Sequence, residues 1–461
     1  MTDQPSGVMV IIIPQPTVNG PLHIGHLSGP YLAGDIAARA AKARGERVLA
    51  LAGVDVHPNY VLTKAENLGE DVGEMVTKYR AQITTAFDLA RIGHDAFLDP
   101  QDAKYQRAVA TMLTELVTDG TVPMQEFTLH QCSDCKRTLH HSYVVGKCSI
   151  CGSGANGTSC EGCGGFTSAQ SLVDPSCARC GGSPRPFVAT IPVLRTEDYR
   201  EHLVGEWMQA ELPGRVRAVL EHYLHTSLPD IPLAYPTNWG IELDGPLKGL
   251  RVDFPTELGF SYIYGPANAL RPEASSLAEW VAAWSEIDGL WHFNGVDNTF
   301  YFGVLYPAIF AMAGLAPKMR GATVNELYLL EGQKFSTSRN HALWADEFLA
   351  EEDPELVRLY LSWDRPDRYE SDFTHEGYRA FCEYVRPLLA GASATGSGAL
   401  PPALATAEIE RADRALQLTG FDSALAVRSL LAALTTGTGR DSVAMAALTG
   451  RGPQSLAEGG S

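Results

Sequence analysis

The 461-residue chain lacks a long hydrophobic run near its start: Val8 to Ile13 is purely apolar for six residues, far short of the ~20 that a spanning helix needs. No basic segment with a cleavage site precedes it, so neither a membrane protein nor a secreted one is expected. Positive charge is also in short supply. Against 54 Asp+Glu stand 36 Lys+Arg, a formal net charge of −18, which argues against a protein that coats nucleic acid by bulk charge and leaves room only for a local basic groove. A disulfide framework is missing too: eight of the nine cysteines fall into four Cys-x-x-Cys pairs, the spacing of metal ligands in a cytoplasmic enzyme. The rest is ordinary globular composition, 45% hydrophobic and 20% charged with 44 Gly and 28 Pro, which excludes disorder. At roughly 150 residues per domain the length suggests about three domains.

The N-terminal segment reads as strand, loop, helix, strand. Val8-Met-Val-Ile-Ile-Ile13 is a β-branched run without polar breaks, as suits a strand buried on both faces. The turn-rich Pro14-Gln-Pro-Thr-Val-Asn-Gly-Pro21 follows, then helical spacing from Leu22 to Ala43 and a second strand at Arg47 to Ala52. This is a βαβ unit with a right-handed crossover. Residues 60 to 120 read as mainly helical, and helical and loop material leads to about Pro236. The strand-like runs Gly249–Phe254 and Leu327–Leu330, with an apolar helix at Phe300–Ala313 between them, suggest a second βαβ half. A helix is expected at Pro354–Trp363. After the linker-like 390–398, two Ala/Leu helices are expected at about 402–418 and 422–434, with the last twenty-odd residues mobile.

Three constellations carry chemistry. The pairs Cys132/Cys135, Cys148/Cys151, Cys160/Cys163 and Cys177/Cys180 each place two thiolates on one tight turn, and eight ligands make two closed four-cysteine sites, structural rather than catalytic. Gly152, Gly164 and Gly181 follow three of the pairs, where a knuckle needs positive φ. Nested pairing (inner pairs together, outer pairs together) and sequential pairing both fit the loop lengths. The cysteine-rich stretch 132–180 has few large apolar residues, so metal must supply its folding energy. Second, His23-Ile-Gly-His26 follows Asn19-Gly20-Pro21 at the mouth of the first helix. There a helix N-terminus and two imidazoles three residues apart suit the oxygens of a triphosphate. Third, Lys334-Phe-Ser-Thr-Ser338 offers a lysine and hydroxyls to a departing pyrophosphate.

Together these motifs resemble the class I aminoacyl-tRNA synthetases, most closely the methionyl-tRNA synthetase family with two zinc knuckles, over roughly residues 8 to 385. Gly53-Val-Asp-Val-His57 resembles the family's Gly-Thr-Asp-Glu-His strand end, Gly295-Val-Asp297 its ribose-contacting Gly-x-Asp, and Asp372-Phe373 a position after the signature loop. The resemblance implies an α/β, Rossmann-type catalytic domain with an inserted zinc-knuckle domain and a short C-terminal helical region. The expected divisions are 1–125 (first Rossmann half), 126–235 (insert), 236–345 (second half), 346–390 (helical stem-contact region) and 391–461 (short helical remnant of an anticodon domain). It implies ATP with Mg2+ and two structural Zn2+ ions. It assigns catalytic roles to His23, His26, Lys334, Ser336 and Ser338, and ATP binding to Asn19, Gly20, Gly25, Gly295 and Asp297. Amino-acid binding falls to Gln15, Thr17, Asp55, His57, Asn298 and Phe302, with Asp55 holding the α-ammonium. The implied reaction forms aminoacyl-AMP and pyrophosphate before the aminoacyl group passes to an acceptor.

The chain departs from the family at informative places. Thr337 replaces the second lysine of the signature loop, and Thr17 the aromatic of the methionine pocket. Val252-Asp-Phe-Pro-Thr-Glu257 stands where a Trp-x-Asp-Ala-Pro run is expected, Asn298 and Phe302 replace an aliphatic and a His, and Tyr235-Pro236 replaces an Arg-Asp pair before Trp239-Gly240. A pocket gaining Asn298, with Asp253 or Glu257, favours a polar side chain over a thioether, because each buried polar group left unpaired costs ~1–3 kcal/mol. Beyond Gly391 the chain has five Arg, no Lys, six acidic residues and neither Trp nor Tyr, so anticodon readout is not expected. The leading expectation is therefore an amino-acid-activating ligase whose acceptor is a small molecule, a carrier protein or a tRNA acceptor stem. A shortened methionine–tRNA ligase and an inactive paralogue acting as a binding protein are the alternatives.

Overall fold

The computed structural model describes residues 7–335, 341–392 and 400–451. Val8–Ile12 lies at the centre of a five-stranded sheet, in the spatial order Met319–Asn325, Ile287–Gly295, Val8–Ile12, Val48–Gly53, Ala96–Leu98. Every neighbouring pair is parallel, with Ile11 opposite Trp291 on one side and Ala50 on the other. Alternation along this strand feeds two cores. Ile11 and Ile13 join the core beneath the helix Leu32–Ala43, and Val10 and Ile12 join the one on the opposite face. Each fully buried Ile contributes about 1.5–3 kcal/mol relative to exposure. The chain order reverses between Val8–Ile12 and Ile287–Gly295, which opens a crevice at the carboxyl ends of those two strands.

The first helix is not regular. After Ile24–His26 it widens into a π turn at Leu27–Tyr31 before Leu32–Ala43. Pro30 sits inside the turn and cannot supply an amide to the ladder. The helix then lies so close on the sheet that a Cβ at Gly34 would stand 2.7 Å from the Ile13 side chain.

The second half of the sheet differs from expectation. Its strands are Ile287–Gly295 and Met319–Asn325, linked by the apolar segment Tyr301–Leu305 and Tyr306–Met312. Arg251–Val252 instead pairs antiparallel with Ala234–Tyr235, and Tyr328–Leu330 belongs to a separate three-stranded sheet. The polar residues Asp288, His292 and Asn294 masked the periodicity of the true strand, and His292 and Asn294 are nonetheless buried. Ala96–Leu98 was too short to leave a pattern.

The cysteine-rich insert hangs from a long antiparallel pair, Met124–Cys132 against Pro184–Arg195, in register from Met124 opposite Pro192 to Cys132 opposite Pro184. Beyond it, Gly154–Gly157, His141–Lys147 and Val173–Cys177 form a small sheet. Its apolar core is only Leu139, Tyr143, Val144 and Leu172 with Cys132 and Cys177, in keeping with a segment that needs metal to fold.

At the other end the expected helices are present at Pro354–Trp363, Pro402–Ala415 and Ser423–Leu434. The expectation of a mobile end is corrected for residues up to Arg451: Val443–Thr449 is helical and packs on Leu32–Ala43, with Ala444, Met445 and Leu448 fully buried. Small residues that read as low complexity allow this close approach. A buried guanidinium fixes it: Arg358 meets Asp35 at 2.7 Å and donates to the carbonyls of Ala447 and Ala90 at 2.8 Å and of Leu448 at 2.9 Å. Among the described residues no helix is long and apolar enough to cross a membrane.

Candidate active site and metal centres

A cavity of about 690 Å³ opens in the crevice at the strand ends. The loop after Val8–Ile12 forms its floor and brings Gln15, Thr17, Asn19 and Gly20 to the wall. This loop is stitched to the end of the next strand, where Asp55 N donates to Pro16 O at 2.9 Å and Val18 N to Asp55 O at 3.0 Å. Asp55 is thereby carried into the cavity, 4% exposed. Its carboxyl is pushed well above the usual carboxylate range by burial and by the nearby charge of Glu257. No side-chain hydrogen bond to Asp55 occurs among the described residues, so the group is a buried acid awaiting a partner.

His23 and His26 stand at the rim with their rings stacked, centroids 3.6 Å apart, and Phe335 stacks on the outer face of His23 at 4.2 Å. The amide of His23 donates to Nδ1 of His26 at 3.1 Å, which leaves the His26 proton on Nε2 as a donor. Burial lowers His23 to about 2, helped by His26, and lowers His26 to about 4. Both imidazoles are therefore neutral near pH 7 and can offer ring N–H groups only as dipolar donors. Gly25 is required by this stack, since a Cβ there would lie 3.0 Å from both the His23 ring and Phe335.

Asp297 and Asn298 reach the opposite wall from the end of Ile287–Gly295. Asp297 is raised by burial and by Glu161, and accepts from Asn298 Nδ2 at 3.2 Å. Gly295 stands behind them, where a Cβ would collide with the Asp297 carboxylate. Lys334 is exposed on the short strand Gln333–Lys334, whose hairpin turn is tied at Gly332 N to the Asp372 carboxylate at 2.9 Å. It does not line the cavity; its neighbour Phe335 does. Ser336 and Ser338, with Thr337, lie outside the described residues.

Two of the expected amino-acid contacts stand behind the wall. Phe302 is fully buried, stacked on His292 at 5.6 Å. His57 is turned to Glu257, with Nδ1 2.8 Å from Oε2, so neither member of that pair borders the cavity. The sequence did not reveal Tyr31, Tyr60, Tyr262 and Tyr306, which line much of the cavity. Aromatics at helical spacing look like core, and only the tertiary structure turns these toward a void.

The cysteines settle into nested groups: Cys132, Cys135, Cys177 and Cys180 form one, Cys148, Cys151, Cys160 and Cys163 the other, each with its Sγ atoms within 4.8 Å of one another. Sequential pairing is excluded because the register of the long strand pair brings Cys132 beside Pro184. Gly152, Gly164 and Gly181 have φ of +77°, +74° and +72°, and Lys136 takes the same conformation at +60° in the remaining knuckle. Amides of Asp134 and Ile150 point at the Sγ of Cys132 and Cys148, each at 3.4 Å. Four converging thiols with amide support, and no open position, fit a closed tetrahedral site such as structural Zn2+. The inner group also builds the cavity: Asn156, Thr158, Ser159 and Glu161 from its loops line the wall. Gly164 packs so tightly that a Cβ would stand 2.8 Å from Val296 O, one residue from Asp297.

A doubly wound parallel sheet, a His-x-x-His rim at its switch point and an insert of cysteine knuckles together define a class I synthetase fold. The chain belongs to the family described as tRNA synthetases class I (M), whose model matches residues 9–384. It is 30% identical over 387 residues to the methionine–tRNA ligase of Thermococcus kodakarensis, across 79% of this chain and 51% of that protein. To the methionine–tRNA ligase of Thermomicrobium roseum it is 29% identical over 386 residues, across 80% and 64%. The chain thus spans about half to two thirds of the length of these relatives. Among solved structures it resembles Mycobacterium tuberculosis methionyl-tRNA synthetase bound by methionyl-adenylate, with a TM-score of 0.69 over 93% of this chain and 82% of that one, at 15% identity.

Proposed function

We propose that the chain is an ATP-dependent ligase that activates an amino acid as aminoacyl-AMP and passes the aminoacyl group to an acceptor other than a full cognate tRNA. The observation that carries this reading is Asp55, a buried carboxyl with no side-chain partner among the described residues, sharing one cavity with His23, His26 and Asp297. A substrate α-ammonium would complete Asp55, Asp297 would hold the ribose, and the neutral imidazoles would donate to phosphate as charge builds at the α-phosphorus. The carboxylate of the amino acid attacks that phosphorus, the bond to the bridging oxygen breaks, and pyrophosphate leaves. Lys334, Ser336 and Ser338 are assigned to the departing phosphates, and the two cysteine groups to structural zinc.

The reading of a polar substrate rests on Asn298, which lines the cavity, and on Gln15, whose Oε1 is buried without a partner while its Nε2 donates to Ser261 at 3.2 Å. Glu257 is withdrawn from this role by its bond to His57. The acceptor reading rests on the acidic charge balance and on a C-terminal region without lysine. The test is amino-acid-dependent ATP–pyrophosphate exchange across the twenty amino acids without tRNA. Exchange with a polar amino acid is expected. Exchange with methionine alone would restore the shortened methionine–tRNA ligase, and none with any would favour an inactive paralogue.

A further inference from the structure

A second chamber of about 400 Å³ lies between the cysteine-rich insert and the catalytic core. Its mouth is ringed by the exposed residues Thr128, Gln170 and Asp230, and its inner end by the buried His141, Asp253 and Tyr301. Tyr301 also lines the large cavity, so the two spaces share a wall. A side pocket for one amino-acid side chain would need no mouth of its own, and 400 Å³ falls in the range of small-molecule sites.

The polar groups at the inner end are set for a ligand. His141 Nε2 meets Asp253 Oδ1 at 2.6 Å while Nδ1 faces Gly157 O at 3.2 Å. Both ring nitrogens are therefore occupied, and the group left to meet a ligand is the second oxygen of Asp253. His141 is held at φ +50°, a conformation that a residue with a side chain adopts only under tertiary constraint. The Tyr301 hydroxyl, 8% exposed as a residue, has no hydrogen-bond partner of good geometry, although the hydroxyls of Thr158 and Ser159 lie beside it. The remaining wall is largely apolar and aromatic, from Phe127, Phe166, Phe300 and Tyr235. Two departures from the family's pattern, Tyr235 and Asp253, converge on this one chamber.

We infer that the chamber is the acceptor site: it takes a small primary amine on an aromatic or apolar body, its nitrogen directed to Asp253 and Tyr301. The inference rests on aminoacyl-AMP being formed next door. There the amine's lone pair makes a C–N bond at the adenylate carbonyl, the carbon–oxygen bond to phosphate breaks, and AMP departs with that electron pair. The amine enters as its ammonium ion, so nitrogen loses two protons to Asp253 in turn, one to free the lone pair before attack and one after the C–N bond forms, and both leave through the mouth. A tRNA acceptor end is disfavoured by the acidic and neutral residues around the mouth.

Equilibrium binding of tyramine to the full chain, measured by calorimetry without ATP, tests the chamber apart from the chemistry. One site is expected, not displaced by ATP, and weakened by roughly tenfold to hundredfold in Asp253→Asn. Gln170→Trp, which narrows the exposed mouth, should weaken it comparably while leaving pyrophosphate exchange unchanged. Absence of binding, displacement by ATP, or affinity unmoved by both substitutions would overturn the assignment. With an activated amino acid present, Asp253→Asn should slow amide formation with tyramine far more than hydroxamate formation with hydroxylamine, which is small enough to need no chamber. An equal loss with both nucleophiles would overturn the proton-accepting role. If tyramine binds in the chamber but no amino acid supports exchange, the adenylate reading fails and the binding site stands.

Discussion

Asp55→Asn separates the amino-acid site from the rest of the cavity. In the ligand-free protein Asp55 is buried, lies near the charge of Glu257 and is raised well above the usual carboxylate range, so it carries a proton over part of the acid range. Binding of an α-ammonium favours the charged form and expels that proton. The affinity of the amino acid should therefore rise about tenfold per pH unit from the usual carboxylate range up to the raised value, and level off above it. Removing one partner of a buried, hydrogen-bonded charge pair costs about 3–5 kcal/mol, or roughly 150- to 5,000-fold in amino-acid KM. The KM for ATP should move little, because His23, His26 and Asp297 are untouched. The folding linkage has the opposite sign to that of a salt-bridged acid. A raised carboxyl favours the native state below the unfolded pKa, and that contribution is lost as pH climbs through the raised native value. Asn carries no such dependence, so the variant should be no less stable than the parent at pH 7, a check made by urea unfolding. Pyrophosphate exchange from pH 5 to 8, with amino acid and ATP varied in turn, reads both effects. A KM change under tenfold, or a pH slope that survives in Asp55→Asn, would refute the assignment.

Elemental analysis should find two zinc ions per chain, and Cys151→Ser should reduce this to one while sparing the Cys132 group. Loss of both together would contradict two separate nested centres. Asn298→Ile should lower exchange with the true substrate by about tenfold to hundredfold, the price of removing one hydrogen-bonding group from a desolvated pocket. Unchanged activity would remove Asn298 from the pocket. Arg358→Met should cost about 3–5 kcal/mol in urea unfolding, since it strips Asp35 of one cation and leaves the carbonyls of Ala90, Ala447 and Leu448 without their donor. It should also release the helix Val443–Thr449, detected as faster amide exchange confined first to that segment.

Much of the chemistry is legible in the chain because it depends on local spacing. Two residues between thiols make a knuckle whatever surrounds them, and His23-Ile-Gly-His26 needs only the end of one strand and the start of one helix. The unbroken apolar run Val8–Ile13 likewise identified the central strand, for a strand buried on both faces has no polar side to show. Where the signal was not local it failed. Ile287–Gly295 carries buried His292 and Asn294, which only tertiary contacts make tolerable, and Val443–Thr449 looked like a loose tail until Arg358 and the helix Leu32–Ala43 gave its small residues something to pack on.

By itself, then, the sequence located the paired cysteines, the family and the His-x-x-His that stands at the cavity rim, since each is a property of neighbouring residues. The tertiary structure decided which cysteines converge, because strand register alone brings Cys132 and Cys180 together across 48 positions. It also decided the fates of two acids that looked equivalent in Val252-Asp-Phe-Pro-Thr-Glu257. Asp253 is extended and precedes the helix Phe254–Leu270, whereas Glu257 lies in its first turn, so the two side chains meet different neighbours: Glu257 is taken by His57, and Asp253 is turned by His141 toward a second chamber. What surrounds a charge sets what it does, and those surroundings come from segments up to 200 residues away.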